Sequence, residues 1–203
     1  MVIFDTLSQT NVCIYIYTMN TLDLPMLENQ QVQPVSVGLA IVMIIITTLY
    51  NFGQLQTLPC GPNLISSLFR NFIHVDWFHI ILNMYAFFRL MVLEQTFGSS
   101  FYFVLILLLT IFQTLIEWII YSNYEINCSI GFSGILFGLY TWMILTLSGQ
   151  DWSMLLALIL SIISSSARDP RLSLLGHLLG VVSGLLVWLL SKPFLHAINP
   201  MIN

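Results

Sequence analysis

The chain has 203 residues, 58% of them apolar and only 7% charged, with a formal net charge of −4. A soluble domain carries roughly a quarter charged residues, so this chain cannot cover its surface in water. Only five residues are Lys or Arg, which excludes the basic footprint of a nucleic-acid binder. One membrane domain is expected, all-α and polytopic.

In chain order, residues 1–34 form a tail expected to be loosely ordered or to lie on the membrane surface. The first 36 residues hold Asp5, Asp23 and Glu28 and no Lys or Arg. They lack the basic n-region of a signal peptide and the arginines of a mitochondrial presequence. A membrane span needs about 20 apolar residues, with a range near 17–25. Six stretches approach this: Val35–Phe52, Phe78–Leu93, Phe101–Tyr121, Ile130–Leu147, Trp152–Ser166 and Leu172–Ser191. The fifth reaches only ~22 Å at 1.5 Å per residue and must borrow flanking residues or sit in thinned bilayer. Each is expected to be helical, because backbone polar groups in lipid must be satisfied within the protein. Residues 35–191 therefore make a six-helix domain, and 192–203 a short C-terminal tail. The one long connection, Gly53–Trp77, carries Pro59, Gly61 and Pro62 and is expected to be a functional loop.

Polar groups kept in hydrocarbon are functional candidates. By crossing parity the second, fourth and sixth spans start on the same side. His79 and Asn83 lie in the first turns of the second, and Ser133 in the first turn of the fourth. His177 is placed ~9 Å down the sixth, counting 1.5 Å per residue from Arg171. All four share a depth and a leaflet. A serine is a poor nucleophile until a base takes its proton, and a buried imidazole is held neutral and able to accept one. No carboxylate matches this depth, and Asp169 lies two turns from His177, so a dyad is expected. Ser133 at a helix start sits among amides with no intrahelical partner, at the positive end of the dipole. His79 and Asn83, spaced i, i+4, share a face and can add oxyanion donors.

Gly134 and Gly138, with Gly176, Gly180 and Gly184, form small-residue stripes that allow close helix approach in lipid. Such approach would bring Ser133 to His177, and Phe137, one turn on, could stack on the imidazole. His74 reads as a structural residue fixing the long loop. Arg89 snorkels or pairs with Glu94, and Glu117 has no assigned role. Cys13, Cys60 and Cys128 show no ligand spacing; no metal or cofactor is expected, and Cys60–Cys128 could pair only if their side is oxidising. Taken singly, each motif also has an ordinary packing reading; the joint pattern carries the case.

That pattern resembles the rhomboid intramembrane serine proteases. The matching residues are His74-Val-Asp-Trp-Phe-His79-Ile-Ile-Leu-Asn83, then Leu93-Glu94 and Gly98-Ser99, Gly131-Phe132-Ser133-Gly134, and Gly176-His177-Leu-Leu-Gly180. They keep the family's order over roughly residues 35–191. The resemblance implies a six-helix rhomboid bundle in its minimal form and cleavage of transmembrane helices near a membrane face. It implies Ser133 as nucleophile and His177 as base, with His79, Asn83 and the Ser133 amide at the oxyanion; His74, Gly131, Gly134, Phe137 and Gly180 support them. The Trp-Arg pair of many members is absent near Ile65-Ser66, with Arg70 four residues further on. Expected partners are single-span or multi-span membrane protein substrates and the lipid bilayer, with no nucleic acid. The outer or lumenal face is expected for the site, and a secretory-pathway membrane (ER or Golgi) is favoured over a mitochondrial one, with the bacterial inner membrane left open. The competing functions are a catalytically inactive relative that binds membrane clients for trafficking or degradation, and a small transporter. The second is disfavoured by the lack of an inverted repeat.

Overall fold

The computed structural model describes residues 33–55, 63–123, 130–147, 152–168 and 173–198. Local sequence sets the helix starts. Pro34 opens α1 (Pro34–Asn51), where a missing N–H costs nothing. Asn63 Oδ1 accepts the Ser66 amide at 2.8 Å and caps α2 (Leu64–Arg70). Asp76 Oδ1 accepts the His79 amide at 2.7 Å and caps α3 (Trp77–Arg89). A break at Leu90 separates α3 from α4 (Met91–Phe97), which ends at Gly98 with φ +81°. The remaining helices are α5 (Ser99–Asn123), α6 (Ser133–Leu147), α7 (Trp152–Arg168) and α8 (Leu174–Ile198). Among the described residues there is no strand.

Among the described residues four stretches are long and apolar enough to cross a membrane: α1, the α3–α4 pair taken as Trp77–Phe97, α5, and Leu174–Pro193 of α8. The fourth and fifth expected spans are shorter apolar helices. For α6 burial gives the reason. It is hydrophobic all round, with 11 of its 15 residues buried, and such a helix belongs inside a bundle. It presents little of its length to lipid. By contrast α7 exposes Trp152, Leu156, Leu160 and Ile163, a stripe at helical spacing. Polar residues point the other way: Ser36, Thr47, Gln113, Thr114, Glu117, Thr141 and Ser183 are buried. The pattern is that of a helical bundle whose solvent is hydrocarbon.

The tightest seam lies between α6 and α8. A Cβ at Gly180 would collide with the Gly134 carbonyl oxygen, and one at Gly184 with the Gly138 carbonyl oxygen. The two glycine stripes thus face each other backbone to backbone. Lower down, Trp142 Nε1 donates to Ser191 Oγ at 2.9 Å and ties the far ends of the same helices together.

Three expectations change. The connection 53–77 contains a helix, α2, because Asn63 supplies a cap and Ser66, Ser67 and Arg70 give it a buried face. The last helix begins at Leu174, two residues later than predicted, where Ser173 Oγ accepts the Gly176 amide at 3.0 Å; it continues to Ile198, past the end read from sequence. The Glu94 carboxylate serves α1: it accepts the Val35 and Ser36 amides at 3.0 and 2.8 Å, the Ser36 hydroxyl at 2.6 Å and the Ser99 hydroxyl at 2.7 Å. An anion at a helix N-terminus is favourable, and Arg89 is exposed at the end of α3. Cys13, Cys60 and Cys128 lie outside the described residues, as do Asp169, residues 1–32 and 199–203.

Candidate active site

The start of α6 is built by neighbours. Gly131 has φ +135°, and a Cβ there would come within 2.7 Å of the His79 ring. Glycine is required twice over, by conformation and by contact. The Gly131 amide donates to the Arg70 carbonyl at 2.9 Å, so the end of α2 holds this segment. The Phe132 amide donates to His74 Nε2 at 3.4 Å. The first intrahelical bond runs from the Leu136 amide to the Phe132 carbonyl at 3.1 Å. Phe132 is therefore the cap, and the amides of Ser133, Gly134 and Ile135 have no partner within the helix.

His74 is fully buried. An amide can only donate, so His74 Nε2 is the acceptor. Nδ1 then carries the proton and faces Thr47 Oγ1 at 3.1 Å. Burial, and then the neighbouring His79 charge, push the His74 pKa down to about 3. An imidazole neutral above this value joins α1 to the loop before Ser133.

Ser133 Oγ and His177 Nε2 are 2.9 Å apart. With Nε2 unprotonated, the serine hydroxyl donates to it. His177 is the fourth residue of α8, in its first turn and shallower along the helix than the count from Arg171 placed it. His177 Nδ1 is buried with no hydrogen-bond partner among the described residues. Phe137 lies against the imidazole, ring centroids 4.7 Å apart, tilted at 48° and not parallel. His79 completes the group: its ring meets His74 edge-on at 5.0 Å and lies within electrostatic reach of His177.

Asn83 is buried one turn below His79. Its Nδ2 donates to the His79 carbonyl at 2.9 Å, and its Oδ1 has no partner among the described residues. One amide hydrogen is thus engaged by its own helix and the second is left for another acceptor. The supporting glycines fall where the seam needs them: Gly134 follows the serine, with Gln113 Nε2 2.6 Å from the position of a Cβ, and Gly180 faces it from α8.

Sequence reasoning missed Gln113. It is fully buried on α5, donates to Glu117 Oε1 at 2.7 Å and to the Gly176 carbonyl at 3.2 Å, and accepts from Ser183 Oγ at 3.1 Å. The signal was its i, i+4 spacing from Glu117 on an otherwise apolar helix.

Residues 62–193 match the family model described as the Rhomboid domain. A protein of Acanthamoeba polyphaga mimivirus, named "Putative rhomboid protein", is 27% identical over 147 residues, covering 71% of this chain and 84% of the relative. The family match covers more than half the chain. The chain belongs to the rhomboid family and is an integral membrane protein.

Proposed function

We propose that this rhomboid-family chain is an intramembrane serine endopeptidase that cleaves transmembrane-helix substrates through a Ser133–His177 dyad. The observation that carries the reading is the 2.9 Å contact between the serine hydroxyl and an imidazole nitrogen, at a helix start whose amides are free of intrahelical bonds. In the first half-reaction His177 Nε2 takes the hydroxyl proton as Ser133 Oγ attacks a peptide carbonyl carbon. The negative charge gathers on the carbonyl oxygen, and the Ser133 amide, His79 and Asn83 are the donors offered to it. His177 returns the proton to the leaving amine. Water, activated by the same base, then hydrolyses the Ser133 ester.

The second nitrogen of the imidazole supports a dyad: no described carboxylate orients it. Packing takes that role, from Phe137 on one side and the α6–α8 glycine seam on the other. In this reading α6 and α7 also cross the bilayer, giving six spans, and the mouth of the site opens at the outer or lumenal face of a secretory-pathway membrane. Substrates are single-span or multi-span membrane proteins.

The test is labelling of the purified protein with a fluorophosphonate probe beside Ser133→Ala and His177→Ala, together with cleavage of a designed transmembrane substrate. Labelling and cleavage are expected in the wild type and absent in both variants. A folded wild type that neither labels nor cleaves points to the inactive, client-binding alternative.

A further inference from the structure

Three buried groups lie behind the dyad and take no part in the proposed chemistry. Arg70, at the end of α2, is 2% exposed, with its guanidinium 4.4 Å from the centre of the Tyr121 ring. Glu117 on α5 is 3% exposed and lies within the electrostatic reach of Arg70. Its Oε1 accepts from Gln113, while Oε2 is buried with no hydrogen-bond partner among the described residues. A buried cation and a buried carboxylate are each costly alone, and their tolerance depends on each other.

The connections of this group reach both halves of the dyad. On the serine side, the Arg70 carbonyl holds the Gly131 amide at 2.9 Å, two residues before Ser133. The Gln113 amide also packs where a Gly134 side chain would be, one residue after it. On the histidine side, Gln113 Nε2 holds the Gly176 carbonyl at 3.2 Å, the residue before His177, and Gln113 Oε1 holds Ser183 Oγ. Gln113 is hydrogen-bonded to Glu117, Glu117 lies in the field of Arg70, and Arg70 packs over Tyr121 of the same helix as Glu117. The chain of contacts runs from α2 through α5 to α6 and α8.

We propose that Arg70, Glu117 and Gln113 are positioning residues: a buried polar brace that sets the Ser133–His177 distance from behind. This rests on the dyad reading above. The brace adds what the glycine seam cannot. The seam lets α6 and α8 approach, but apolar contacts tolerate small axial slips. Directional bonds from one amide to Gly176 and Ser183 of α8 do not, and the same amide packs against Gly134 of α6.

Glu117→Gln keeps an acceptor for Gln113 and removes the charge facing Arg70. Arg70→Met with Glu117→Gln removes both charges and so avoids an uncompensated buried cation; it serves where the single variant fails to fold. Active sites are titrated with the fluorophosphonate probe, and cleavage is measured per titrated site. A displacement of a few tenths of an ångström to 1 Å is expected to lower kcat by about 10–100-fold with KM within about twofold. Arg70→Lys, which keeps the charge, is expected to recover part of the loss. Unchanged kcat per titrated site, with only the titratable fraction reduced, would mean a purely structural role and overturn the proposal. The 15N and proton resonances of the His177 ring give a readout free of turnover. They are expected to move in Glu117→Gln or in the double variant, and unmoved resonances also overturn the brace. If the wild type neither labels nor cleaves, the protease reading fails, and the imidazole resonances still decide whether the brace exists.

Discussion

Replacing Gly180 with alanine isolates the backbone seam. The added methyl would collide with the Gly134 carbonyl oxygen and stand 2.8 Å from its carbon and 3.0 Å from the Gly134 Cα. All three are backbone atoms, so no side chain can rotate away. Intrinsic helix preference works in the opposite direction, favouring Ala over Gly by about 1 kcal/mol; any loss must come from packing. Non-bonded carbon contacts settle near 3.5–4.0 Å, so α8 must retreat from α6 by roughly 1 Å. The Ser133–His177 contact of 2.9 Å sits three residues from the point of pressure and would stretch beyond hydrogen-bond range. A misplacement near 1 Å costs about 10²-fold in rate. The assay is initial cleavage of a transmembrane substrate in liposomes, read beside thermal stability. Gly38→Ala is the control, since a Cβ there meets nothing within 4 Å and gains the same helix preference. The expected result is about 10²-fold loss for Gly180→Ala and none for Gly38→Ala, both folded. Wild-type turnover by Gly180→Ala would refute the claim that close approach of these two helices assembles the dyad.

Gly131→Ala should lower kcat and stability together, because the methyl meets the His79 ring at 2.7 Å and L side chains rarely adopt φ +135°; wild-type Tm and rate would mean that the turn relaxes freely. Asn83→Ala should reduce kcat by about 10²-fold at unchanged KM if its second amide hydrogen reaches the oxyanion, and an unchanged kcat removes it from the mechanism. His74 gives a pH signature. Its folded pKa of about 3 lies below the unfolded value near 6.5, so the unfolded state binds the proton first. Stability should fall as pH drops below about 6.5, by about 2 kcal/mol at pH 5; the fall should be missing in His74→Asn, as measured by denaturation at fixed detergent. Substrates should need local helix unwinding before Ser133 can reach a carbonyl. Replacing Gly or Pro near the cleavage site with Leu should then suppress cleavage, and restoring one should rescue it; equal rates across the series would exclude unwinding as the selector.

The sequence was most legible where a residue's chemistry conflicted with its surroundings, although Gln113, buried on the apolar α5, escaped it. Ser133, His177, His79 and Asn83 stood out because polar groups in apolar helices are costly, and crossing parity put them at one depth. The glycine stripes were legible because spacing of four fixes one helix face, although spacing cannot say which two faces meet. The α2 helix was hidden because seven residues carry too little periodicity, and its cap Asn63 follows a Pro-Gly-rich stretch that reads as loop. The reach of Glu94 was not legible, because sequence proximity offered only Arg89 as its partner or left that arginine to snorkel, whereas the carboxylate reaches 58 residues back to Ser36. Arg70 and Glu117 were noticed singly, yet their proximity depends on tertiary packing that no local pattern encodes.

On the dyad reading no described carboxylate orients His177, so its orientation must come from its other described neighbours. Its backbone amide is tied to the Ser173 carbonyl at 3.1 Å, and its ring is flanked by Phe137. The residue before it is gripped by Gln113. On the opposite side Ser133 is fixed by a turn whose first two amides are already claimed, one by Arg70 and one by His74. Claiming those two leaves the Ser133 amide as the first in the chain able to meet new negative charge. If the proposed dyad holds, packing and backbone hydrogen bonds do for this imidazole what a buried carboxylate does in a triad, with no further charge from the described residues. The same economy explains why glycine recurs at 131, 134 and 180: each is a point where backbone, not side chain, has to touch the partner that positions the reaction.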